Sequence, residues 1–123
     1  MARLIVDGSN VMGSRPDGWW RDRDGARIRL TVEIDEAADA LCAALLGDPR
    51  ADVVVVHDGP PIEMQLLRVF VRFAGHADDL ITELAAPGDV VVTSDRELVG
   101  RVEARGASAV GSGRLVRALR DAG

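Results

Sequence analysis

Cysteine is nearly absent from this 123-residue chain, and lysine is wholly absent. A lone Cys42 excludes a disulfide framework and a zinc site built from thiolates. On the apolar face of its segment it reads as a small buried hydrophobe. All 15 basic residues are arginine, set against 20 acidic ones, and the formal net charge of −5 argues against whole-surface attraction to a polyanion. No apolar run approaches the roughly 18–20 residues a bilayer requires, so no membrane span is expected. Asp7 and Gly8 interrupt the first apolar run, which does not have the layout of a signal peptide, and a cytoplasmic protein is expected. What is present is ordinary for one soluble domain, 1–123, with 47% hydrophobic and 28% charged residues.

Three apolar runs share one grammar. "LIVDGSN" (4–10), "VVVVHDG" (53–59) and "VVVTSDREL" (90–98) each pass from branched aliphatic residues to an aspartate. Leu4–Val6, Val53–Val56 and Val90–Thr93 predict strands buried on both faces, and residues 68–73 and 107–110 predict two more. From about Arg27 the spacing of Leu30, Ile34, Ala38, Leu41 and Leu45 is helical, and Gly47-Asp48-Pro49 ends it. The start is ambiguous, because Ile28, Leu30, Val32 and Ile34 also alternate as a strand does. Residues 78–85, 94–105 and 112–120 predict shorter helices, and Met12 to about Ala26 a long loop. Such an alternation means an α/β domain with a mainly parallel sheet of about five strands and helices on both faces. Ligands of open α/β sheets lie beyond the carboxyl ends of the strands, which puts Asp7, Asp58 and Asp95 on one edge.

Each aspartate has a local explanation. Ser94-Asp95-Arg96-Glu97 fits a capping box with Ser94 as N-cap. Asp78 and Asp79 open a helix, where free N–H groups favour carboxylates. Asp58-Gly59-Pro60 is turn chemistry. Asp7 is different, since Gly8-Ser9-Asn10 leads into the expected loop with no evident helix to cap. Together, Asp7, Asp78, Asp79 and Asp95 would meet beside Asn10 and Ser94. Clustered like charges cost stability unless a cation offsets them, and hard oxygen donors select Mg²⁺ or Mn²⁺. An ion so held can bind a phosphate oxygen and lower the pKa of a bound water, which suits phosphodiester hydrolysis.

The segments "VDGSNVMG" (6–13), "HADDLITELA" (76–85) and "VVVTSDREL" (90–98), in that order and spacing, resemble the NYN domain family, a branch of the PIN-like nucleases. The likeness runs from Leu4 to Gly106-Ala107. It implies a PIN-like three-layer α/β/α sandwich and a Mg²⁺- or Mn²⁺-dependent ribonuclease acting on RNA. Carried over by motif, the catalytic set is Asp7, Asn10, Asp78, Asp79 and Asp95, the four aspartates being the metal ligands. Ser94 stands beside the third motif, and Asp58 matches a frequent further acidic position. Successive helix residues point about 100° apart, so one of Asp78 and Asp79 is expected at the metal and the other as a cap or supporting group. Many PIN-like proteins dimerise, which makes a homodimer a further expectation. The competing reading is a catalytically silent PIN-like module that binds RNA or protein.

The stretch "GSRPDGWWRDRDGARIR" (13–29) is locally basic on an acidic chain. Arg15, Arg21 and Arg23 are candidates for RNA phosphates and Trp19 or Trp20 for stacking on a base, with at least one tryptophan packed inward. His57 reads as a hydrogen-bonded core residue and His76 as a solvated one. A haloacid-dehalogenase-type phosphatase would need an aspartate where Ser9 stands, and a metal-dependent adhesion module a serine where Val11 stands. "GSGRLV" (111–116) has Val116 in place of the third glycine of a dinucleotide fingerprint.

Overall fold

The structure, a computed structural model, describes residues 2–123. Strand β1 (Leu4–Asp7) runs directly into helix α1 (Gly8–Gly13); a 3₁₀ turn (Trp19–Arg21) then leads to α2 (Arg23–Leu46). There follow β2 (Val53–Asp58), β3 (Phe70–Ala74), α3 (Ala77–Leu84), β4 (Val90–Val92), α4 (Arg96–Glu103), β5 (Ser108–Val110) and α5 (Ser112–Ala122). The five strands form one parallel sheet in the order β3-β2-β1-β4-β5. Among the described residues no helix is long and apolar enough to cross a membrane.

Successive strand side chains point to opposite faces, and this period divides the core. Leu4, Val6, Val53, Val55 and Val92 pack against Leu30, Ile34 and Leu41 of α2 and Leu115 of α5. Ile5, Val54, Val56 and Val91 pack on the other face against Ile81 of α3 and Leu98 and Val102 of α4. The result is the expected three-layer α/β/α sandwich. Asp7 continues the phase of Ile5, Asp58 that of Val54 and Val56, and Thr93 that of Val91. All three therefore emerge on the α3/α4 side of the sheet's carboxyl edge. The chain leaves β1 toward β2 and later returns to its other side at β4, so the gap between the ends of β1 and β4 is the topological switch point where a ligand crevice is expected.

Several boundaries differ from the sequence expectation. The long loop is shorter, because α1 starts at once after β1 and α2 starts at Arg23, with the Asp22 carboxylate accepting from Gly25 N–H at 3.0 Å. "GSNVMG" has weak helix propensity, and burial of Val11 and Met12 overrides it. Strand β3 begins at Phe70 rather than residue 68, because Asp35 of α2 takes the N–H groups of Leu67, Arg68 and Val69 at 3.0, 2.7 and 2.9 Å. Burial would raise the pKa of Asp35, yet these three donors and the Arg68 charge hold it below its ordinary value.

His57, fully buried on the α2 side, is the hydrogen-bonded core residue its position suggested. Thr31 gives its hydroxyl proton to the Arg27 carbonyl at 2.7 Å and meets His57 Nε2 at 2.8 Å, so Nε2 must be the donor. Nδ1 is then unprotonated, and it has no partner among the described residues. Burial, helped by the nearby Arg27 charge, pushes the His57 pKa down to about 4, so the ring is neutral near pH 7. Gly8 lies against this ring: a Cβ there would fall 2.5 Å from His57 Cε1 and Nδ1 and 3.0 Å from the Val56 carbonyl. Replacing Gly8 by alanine is expected to destabilise the fold by about 1–3 kcal/mol, the scale of overpacking. A denaturant midpoint equal to that of the wild type would show that α1 can move away from β2.

Candidate active site

The close of each apolar run is also the beginning of a helix, and this brings the aspartates together. Asp7 caps α1, its Oδ1 accepting from Asn10 N–H at 3.4 Å. Asp58 reaches across to α3, whose own N-cap His76 makes no side-chain bond, and accepts from Ala77 N–H at 2.8 Å. Asp95, not Ser94, is the N-cap of α4: its Oδ1 accepts from Glu97 N–H at 3.0 Å and Leu98 N–H at 3.2 Å. The expectation that Asp7 had no helix to cap is likewise corrected.

Capping does not exhaust these carboxylates. Asp7, Ser9, Asn10, Asp58, Asp78 and Asp95 line one open cleft of about 330 Å³ at the carboxyl edge. Both oxygens of a carboxylate carry two lone pairs, so Asp58 and Asp95 can cap through Oδ1 while Oδ2 stays free. The sequence doublet separates as helical geometry requires. Asp78 faces the cleft, whereas Asp79 is drawn aside to Arg101 Nη2 at 2.8 Å. Among the described residues no three acidic, histidine or cysteine side chains are gathered tightly enough to hold a metal ion between them as they stand.

Asp7 is the most constrained member, with 8% of its surface exposed. Thr93 donates its hydroxyl to Asp7 Oδ2 at 2.8 Å and accepts from Asp95 N–H at 3.2 Å, which links the ends of β1 and β4. Burial pushes the Asp7 pKa above its ordinary value. The Thr93 hydroxyl and Asn10 N–H work against this, and the charges of Asp58 and Asp78 add to it.

Asn10 and Ser94, expected side by side, are placed differently from one another. Asn10 lines the cleft, and its Oδ1 accepts from Ser94 N–H at 2.9 Å and from the Ser112 hydroxyl at 2.6 Å. Ser94 does not line the cleft; its Oγ accepts from Ser112 N–H at 2.9 Å. The arginine-rich stretch also stays outside. Arg15 pairs with Glu33 at 3.1 Å, while Arg23 lies 5.5 Å over the Trp19 ring and Arg21 5.9 Å over Trp20. Trp19 packs on the α2-side core and Trp20 is 54% exposed, so one tryptophan does point inward. Thr93, Ser9 and Ser112 were not singled out by sequence. A threonine in phase with buried Val91 is a usable signal for the first, but nothing local marks Ser112.

The raised Asp7 pKa has a definite sign. The folded state favours the protonated carboxyl, so its contribution to stability is full below pH 3.8 and is lost as pH rises through the folded pKa. Near pH 7 without divalent ions, Asp7→Asn is expected to raise the melting temperature, with the gap to the wild type closing below pH 3.8. A lower melting temperature for the variant near pH 7 would show that the ionised carboxylate carries no net penalty.

No protein-family model and no curated protein matches the chain. Its fold is similar to that of the crystal structure of Rae1 (YacP) from Bacillus subtilis, with a TM-score of 0.74 and 24% identity over 99% of this chain and 75% of that one. A tryptophan-to-leucine mutant of the same protein matches with a TM-score of 0.72, 24% identity and coverage of 99% and 77%. At this level of identity the likeness establishes the α/β architecture described above.

Proposed function

We propose that the chain is a Mg²⁺- or Mn²⁺-dependent ribonuclease of the NYN branch of PIN-like nucleases, hydrolysing RNA phosphodiester bonds. The observation that carries this reading is the convergence of Asp7, Asp58, Asp78 and Asp95 on one cleft at the topological switch point. The donor set is all oxygen, which fits a hard divalent cation. Carboxylates that stand apart also suit an ion that keeps several of its own waters. When bound, such an ion polarises a phosphate oxygen and lowers the pKa of a coordinated water.

The chain's own groups divide the remaining work. Asp58, Asp78 and Asp95 would offer oxygens to the ion or its waters, and Asp7 is held beside them by Thr93. Asp79 is assigned to Arg101 and not to the ion. Because the cleft is an open depression, it can take the middle of a strand, so internal cleavage is the favoured mode. Arg21 and Arg23 make no ion pair with a carboxylate among the described residues, and exposed Trp20 beside them offers a stacking face. A second reading, an RNA-binding module that does not cut, is favoured only by the loose spacing of the carboxylates.

Purified protein incubated with labelled single-stranded RNA separates the two. Cleavage with Mn²⁺ or Mg²⁺ that stops in EDTA is expected, and binding without cleavage under all three conditions would establish the silent module. Ions that bind only the folded state should also raise the melting temperature relative to EDTA. Asp95→Asn keeps the α4 cap, because asparagine also accepts from helix N–H groups. It is nevertheless expected to lower cleavage at least about a hundredfold, the scale of a lost electrostatic stabiliser. Cleavage by this variant near the wild-type rate with limiting Mn²⁺ would leave Asp95 as a cap alone.

Replacing Arg21 and Arg23 together should weaken RNA binding and flatten its salt dependence, since each phosphate contact releases counterions. Unchanged affinity and salt slope would make the stretch purely structural.

A further inference from the structure

Four of the six residues lining the cleft are aspartates, which when ionised can only accept hydrogen bonds. An anionic substrate therefore meets side-chain donors there only at Ser9 and Asn10. Ser9 Oγ accepts from Asp58 N–H at 3.1 Å, which holds the hydroxyl in place and leaves its proton free. The orientation of Asn10 is fixed more firmly. One of the two groups on its Oδ1 is the backbone N–H of Ser94, which cannot accept, so this atom must be the amide oxygen. The second is the hydroxyl of Ser112, a residue with no exposed surface at the start of α5. Ser112 N–H returns to Ser94 Oγ, closing a ring of three bonds among Asn10, Ser94 and Ser112. Both lone pairs of the Asn10 oxygen are thus engaged, and no acceptor among the described residues takes the Nδ2 protons.

We infer that Asn10 donates through Nδ2 to a non-bridging phosphate oxygen of the substrate, and that Ser112 is the positioning residue that holds its amide in that sense. This rests on the nuclease reading above. Asn10 is then not a metal ligand. Its contribution grows as charge builds on the phosphate during attack, when a fixed donor beside the carboxylates counts most.

The test is a double-mutant cycle on Asn10→Ala, Ser112→Ala and the double variant, read as kcat and KM on single-stranded RNA with Mn²⁺. Mn²⁺ affinity by calorimetry and melting temperature are measured alongside. Asn10→Ala is expected to lower kcat about a hundredfold. Ser112→Ala should lower it about tenfold, with KM nearly unchanged, and the double variant should be no slower than Asn10→Ala alone. Mn²⁺ affinity should stay at the wild-type value in all three, because no ligand has been removed. Additive losses would overturn the positioning role of Ser112. Weakened Mn²⁺ binding in Asn10→Ala would overturn the donor role and make Asn10 a ligand. Wild-type protein that does not cleave would overturn the nuclease reading and this inference with it, whereas a cleaving wild type with an unaffected Ser112→Ala would overturn this inference alone.

Discussion

The Thr93 hydroxyl donates to Asp7 across the seam between β1 and β4, and in turn accepts the N–H of Asp95. Both donor and acceptor are nearly sealed from water, with Thr93 1% and Asp7 8% exposed. A buried carboxylate without partners would be costly, and one with too many would be an inert structural group. Asp7 lies between these limits. It has one side-chain and one backbone donor, and its pKa is still raised by burial and by its acidic neighbours. The seam also fixes the relative position of the two strand ends, because the loop after β4 can place Asp95 only where the Thr93 bond allows.

The acidic edge repeats one economical device. A strand ends, an aspartate follows, and one of its oxygens satisfies the first N–H groups of a helix while the other is left toward the cleft. Asp95 does this for α4 and Asp58 for α3 at a distance, whereas Asp7 caps α1 through Oδ1 and accepts the Thr93 hydroxyl at Oδ2. Capping supplies part of the free energy that holds like charges close together. The helix starts and the cleft are therefore one construction.

Charge is spatially sorted on this acidic protein. Carboxylates line the cleft, while the arginines of residues 13–29 are spread over tryptophans and local acidic partners outside it. The few neutral donors at the cleft are accordingly significant, since they are the groups able to face an anion without adding repulsion. Ser9 is held by the end of β2, and the orientation of Asn10 depends on α5, an element remote in sequence from its own motif.

Much of this was decided by the sequence alone. Runs of branched aliphatic residues separated by helical periods point to a parallel sheet covered on both faces, and an aspartate closing each run then falls on its carboxyl edge. The identity of the edge and most of its carboxylates follow from that. Tertiary structure decided the rest. Helix α1 forms from a poor helix sequence because Val11 and Met12 are buried and Gly8 can lie on His57. Asp79 leaves the cleft because Arg101, on the neighbouring helix, is within reach. Asn10 presents its amino group because Ser112, 102 positions away, claims its oxygen. Periodicity and capping are local and can be read along the chain. The direction of a polar side chain is set by whichever partner the fold brings within hydrogen-bonding distance, and only the folded chain contains that information.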